Sequence, residues 1–167
     1  MIKTYIQRIS IVTLLLMSFG SCDIERLDSA QEVAEGGGTL TNFTAYTIEP
    51  TDPDGSNVFG RVVFWQTDLD QTLVQVSLYN TVPGLQHPVL ILEGAVGTST
   101  ATDIDLATVS GETGELDANK FFLIADTTFY DTLPTLDAHI SIFLSESDDT
   151  VVASGNLGAN ADPVETN

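Results

Sequence analysis

A chain of 167 residues is long enough for one domain with a real core and too short for two comfortable ones. Hydrophobic residues make up 43% of it, which excludes wholesale disorder. Lys and Arg total 5 against 24 Asp and Glu, a formal charge of −19. That field repels nucleic acid and anionic headgroups, so it excludes a nucleic-acid partner and favours a soluble monomer.

Lys3 and Arg8 precede the apolar run ISIVTLLLMSF, which is too short to span a bilayer comfortably, and Gly20, Ser21 and Cys22 follow. This order of charge, apolar middle and small residues predicts a secretory signal peptide over residues 1–21. FGSC resembles a bacterial lipoprotein box, with Phe19 in place of the usual Leu. The resemblance implies that Cys22, the single cysteine, takes a diacylglycerol and becomes the mature N-terminus. Two or three acyl chains hold a protein on a membrane stably, whereas one does not. Cleavage leaves Arg26, Arg61 and Lys120 against all 24 acids, a formal charge of −21, and no intramolecular disulfide is possible. The expected location is the cell envelope, as an outer-membrane lipoprotein. Asp23 and Glu25 resemble a signal for surface display and equally suit a solvated tether.

Residues 22–38 are acidic and end in three glycines, the composition of a flexible tether. From Thr39 the texture becomes period-two alternation. Strands are expected at TLTNFTAYTI, VFGRVVFWQT, TLVQVSLY, PVLILE, ATDIDLATV, KFFLIAD, HISIFLS and TVVASGNL, with Gly, Pro, Asp and Asn in the links. In TLVQVSLY, Val74, Val76 and Leu78 share one face, the mark of a half-buried antiparallel strand. No window carries a helical stripe. Seven or eight short strands predict an all-β fold, an antiparallel Greek-key sandwich or barrel, over residues 39–160. Residues 161–167 are expected to be a frayed, disordered tail.

Several stretches resemble the CHRD domain, a module found in chordin and in bacterial secreted proteins. TLVQVSLYNTVPGLQ runs into HPVLILEGA, where the family has G–H–P–A–H–I–H–E–G. DIDLATVSGETG is similar to its DL–VSG–TG segment, and LDAHISIFLSESDDTVVASGNLGAN to its HI–IHLS–VACG–IG close. The resemblance implies the Greek-key β-fold of copper–zinc superoxide dismutase. It also shows what is missing: two family histidines fall on Leu90 and Leu92, a third falls on Phe143, and Ser154 stands where cysteine is frequent. A dismutase-type centre needs several imidazoles, and only His87 and His139 exist in the chain. Leu90, Leu92 and Phe143 would each gain roughly 1.5–3 kcal/mol by burial, so their faces read as core or as covered surface.

His87, held extended by Pro88, reads either as a surviving metal ligand beside His139 or as a turn residue bonded to a backbone carbonyl. Asp52, Asp54 and Asn57 form an oxygen-rich loop without the bidentate Glu of an EF-hand. Asp68 and Asp70, like Glu146, Asp148 and Asp149, read as acidic turns that could bind calcium weakly or simply stabilise hairpin tips. No nucleophile-and-base set can be assembled, and no G-x-S-x-G elbow is present. Asn42 is a sequon in spelling alone, and triplets such as DTT resemble a bacterial O-glycosylation motif. The expectation is therefore a lipid-anchored, non-catalytic interaction or structural module with no cofactor and an unidentified protein or glycan partner. The alternatives are a degenerate dismutase-like metal-binding protein using His87 and His139, and a calcium-dependent adhesion module.

Overall fold

The computed structural model describes residues 40–52, 55–99, 101–117 and 119–167. The leader, Cys22, the tether and Asp54 lie outside them. All eight expected strands form: β1 (Leu40–Pro50), β2 (Phe59–Thr67), β3 (Thr72–Tyr79), β4 (Gln86–Glu93), β5 (Thr102–Ser110), β6 (Phe122–Ile124), β7 (Asp137–Ser145) and β8 (Asp148–Gly158). They pair antiparallel in the order β5-β4-β7-β8-β1-β2-β3-β6. The neighbours β4–β7, β8–β1 and β3–β6 are distant in sequence, which is the Greek-key crossing of the chain between two packed halves. Residues 114–117 bring the ends of this path close to one another. Leu78 N–H donates to the Gly114 carbonyl at 2.8 Å and Ser110 N–H to that of Glu115 at 2.9 Å, so the sheet is a nearly closed barrel.

Alternation places Val62, Phe64, Val74, Val76, Val89, Ile91, Ile140 and Ile142 inside, all fully removed from solvent. Tyr46 and Phe64 meet edge to face at 6.2 Å between ring centroids, and Phe129 closes one end of the core over Phe64. β8 reaches β1 only at Glu49–Ser154 and Pro50–Ala153. Gly155 makes that approach possible, because a Cβ there would run into the Thr47 carbonyl oxygen.

Two parts differ from expectation. The link between β6 and β7 contains a helical turn, α1 (Phe129–Thr132), followed by a 3-10 turn at Leu133–Thr135. Its Phe129 and Leu133 enter the core as a plug, too short to show helical periodicity. The end of the chain is paired rather than frayed. Glu165–Thr166 form β9 against Thr44–Ala45, flanked by Val164 N–H to the Ala45 carbonyl and Asn167 N–H to that of Phe43. Where β8 stops at the last residues of β1, the rest of that edge is open, and a two-residue strand takes its hydrogen bonds.

Candidate functional site

Pairing register decides which way each candidate residue faces. His87 sits opposite Val109 and shares the inner face with Val89 and Ile91. It is fully buried. Its Nδ1 lies 3.1 Å from the Phe143 carbonyl and must therefore carry the proton, while Nε2 accepts the Val82 N–H at 3.3 Å. Both nitrogens are thus taken by backbone in one neutral tautomer, and the ring ties the β3–β4 connection to β7.

His139 belongs to the opposite face. It pairs with Leu92 on one side and Asn156 on the other. Its Nδ1 donates to the Gly94 carbonyl at 2.8 Å, so in the neutral ring Nε2 keeps the lone pair. Gly94 has φ +75°, a left-handed turn that ends β4 and aims this carbonyl at the ring. His87 and Leu92, the partner of His139, are five residues apart along β4, about 17 Å at strand spacing. The two histidines point to opposite faces of the sheet, so the structure does not bring them into one site.

Leu90, Leu92, Phe143 and Ser154, the positions singled out by the family pattern, do come together. Leu90 pairs with Ser141 and Ser141 with Ser154, while Phe143 pairs with Val151. With His139 they floor an open cavity of about 600 Å³ on the outer face of β4, β7 and β8. Leu92 is buried, but Leu90 and Phe143 are half-exposed, so these side chains are the floor of a cavity and not core. The physical reason is parity. Ile140 and Ile142 claim the inside of β7, which turns His139, Ser141 and Phe143 outward and their β4 partners with them.

The wall comes from the β4–β5 connection. Val96, Gly97 and Ser99 line one side, and the Val96 N–H donates to Asn156 Oδ1 at 2.8 Å, which latches this segment to β8. Thr51 and Asp149 complete the rim. A second cavity of about 460 Å³ lies across the latch, shares Val96 and Ser154, and has Glu49 and Asp162 in its more polar lining. Among the described residues, the only cations are Arg61 and Lys120. They sit 3.4 Å and 3.7 Å from Glu165 and Glu115, and neither lines either cavity.

The acidic turns are built by side chains acting on their own backbone. Thr150 donates its N–H at 3.0 Å to Asp148 Oδ1, and the hydroxyl and amide of Thr150 hold the Asp148 carboxyl below its ordinary pKa. The Thr128 amide and hydroxyl do the same for Asp126. In the β2–β3 turn it is the Thr67 hydroxyl that accepts from Leu69 and Gln71, with Asp70 at φ +58°. Asp52 uses its carbonyl to receive the Gly55 and Asn57 amides. Among the described residues no three His, Cys, Asp or Glu side chains are grouped to hold a metal ion. Asn42 donates to Gln66 Oε1 at 3.0 Å.

Sequence reasoning missed the latch and the outward aim of the leucines, and it read Asp149 as part of an acidic turn without its place on the cavity rim. An H-I-S-I-F alternation in β7 carried part of the signal. The β4 run PVLIL is apolar on both faces, so it could not. No protein-family model and no curated protein matches this chain.

Proposed function

We infer that this chain is a lipid-anchored, non-catalytic module of the cell envelope that works by binding, through the cavity on the outer face of β4, β7 and β8. The observation that carries this reading is the lining. Leu90, Leu92 and Phe143 give an apolar floor, and His139 is its single imidazole. An apolar floor of that kind, in a cavity of several hundred Å³ edged by hydroxyls, one imidazole and one carboxylate, is what a ligand site needs. His139 hydrogen-bonds a backbone carbonyl and not a carboxylate, so the third member that orients a catalytic base is a peptide group here. The convergence of Leu90, Leu92, Phe143 and Ser154 in one place, on a Greek-key barrel, supports kinship with the CHRD family. In that kinship the fold is kept while leucine and phenylalanine replace imidazole ligands.

The test is a titration of the folded domain with n-octanol, followed by backbone amide shifts. Saturable shifts confined to β4, β7, β8 and residues 94–99 are expected. An absence of saturable shifts there overturns the cavity reading. The anchor is tested separately by fractionating cells that express the full chain: Cys22→Ala is expected to move the protein from the membrane to the soluble fraction. Firm membrane retention of that variant refutes lipidation.

A further inference from the structure

Resting on the reading of the cavity as a binding site, the polar groups at its edge specify the ligand more closely. His139 Nδ1 is spent on the Gly94 carbonyl, so the neutral ring offers the cavity an acceptor at Nε2. Asp149 on the rim is a carboxylate and accepts only. Ser141, Ser154 and Ser99 are hydroxyls that adapt to either role, whereas the Thr51 hydroxyl already donates to the Val151 carbonyl. Among the described residues no cation lines the cavity, and Arg61 and Lys120 are already beside glutamates elsewhere. An anionic ligand would therefore meet no counter-charge, a rim carboxylate, and the field of a chain with a formal charge of −19.

We propose that the outer-face cavity binds a cationic amphiphile, a small molecule with an apolar body on Leu90, Leu92 and Phe143 and an ammonium group donating to Asp149 and the polar edge. The body supplies the burial and the ammonium supplies the choice. A carboxylate or phosphate head on the same body meets no counter-charge and is repelled.

The experiment titrates the domain with three probes that share an eight-carbon chain: n-octylammonium, n-octanol and n-octanoate. Calorimetry and amide shifts are read in 0.15 M salt, where charges beyond about 8 Å are largely screened. Octylammonium is expected to bind at least about tenfold more tightly than octanoate, with shifts centred on β4, β7 and residues 94–99. Asp149→Asn, in an exposed hairpin, is expected to weaken octylammonium about three- to fivefold and leave octanol unchanged. Val151→Asp is expected to strengthen the ammonium preference and weaken octanol. If none of the three probes binds, the cavity reading itself falls. If octanol or octanoate binds as well as octylammonium, the cavity stands and the cationic assignment is overturned. It is overturned equally if Asp149→Asn leaves octylammonium affinity unchanged, because the ammonium then meets the general acidic surface.

Discussion

Replacing His87 by alanine should unfold much of what holds the β3–β4 connection in place. The ring is fully buried and makes two hydrogen bonds to backbone, one at each nitrogen. Each is worth about 1 kcal/mol net, and the Val82 amide left without an acceptor raises its share toward about 2 kcal/mol. The void where the imidazole stood, beside Val109, adds about 1–2 kcal/mol. The sum is a loss of about 3–5 kcal/mol, a large part of the stability of an ordinary domain. His87→Phe refills the volume without the hydrogen bonds, so it should cost about 2–3 kcal/mol and isolate the polar contribution. Urea denaturation of the folded domain, with a common slope for the three proteins, measures both differences. A loss under about 1 kcal/mol in His87→Ala would refute the assignment of His87 as a structural tie. So would a chelator that destabilises the wild-type protein as much as the substitution does.

Burial of Tyr46 raises its phenol above the ordinary value of 10.0, with the Gly158 backbone opposing and Tyr130 adding to the rise. The unfolded chain then loses this proton first as pH rises, so the contribution is intact below pH 10 and lost through the higher folded value. Denaturation midpoints from pH 8 to 12 should fall less steeply in Tyr46→Phe, and identical slopes would count against it. Asp148 runs the other way: its lowered carboxyl favours folding above 3.8, and that contribution disappears as pH falls through the folded value. Thr150→Val should flatten this acid limb in melts between pH 2 and 5, and an unaltered limb would show the turn contacts are inert. Gly155→Ala drives a Cβ into the Thr47 carbonyl and should cost about 1–3 kcal/mol in the same urea assay. A neutral result there means that β1 and β8 separate freely.

Strand positions were legible because period-two alternation and turn residues are local signals. TLVQVSLY reads its own burial, and the observed pattern of Thr72, Val74, Val76 and Leu78 inside follows it residue by residue. β9 was illegible because a two-residue strand has no period, and its existence depends on an edge of β1 about 120 residues away. Phe129 was illegible because it plugs the core from a single helical turn. The site divides in the same way. HISIFLS indicates which of its residues face out, whereas PVLIL is apolar at every position and receives its orientation only from pairing with Ile140 and Ile142. Because that orientation comes from register, one strand read in isolation could not show that His87 and His139 face opposite ways.

The two ends of the sheet path matter most when many copies share a surface, as the proposed anchor would arrange. Tethered proteins meet edge to edge far more often than dissolved ones, and a bare strand edge invites a neighbour to add its own strand. At one end, β5 carries Asp103 and Asp105, and it is kinked where Ala107 takes φ +73° with its N–H held by Asp105. At the other, β6 offers only three residues, too few to template a lasting pair. Charge and a bend guard one margin and brevity guards the other, so crowding on a membrane should leave neighbouring copies separate rather than stitched into a common sheet.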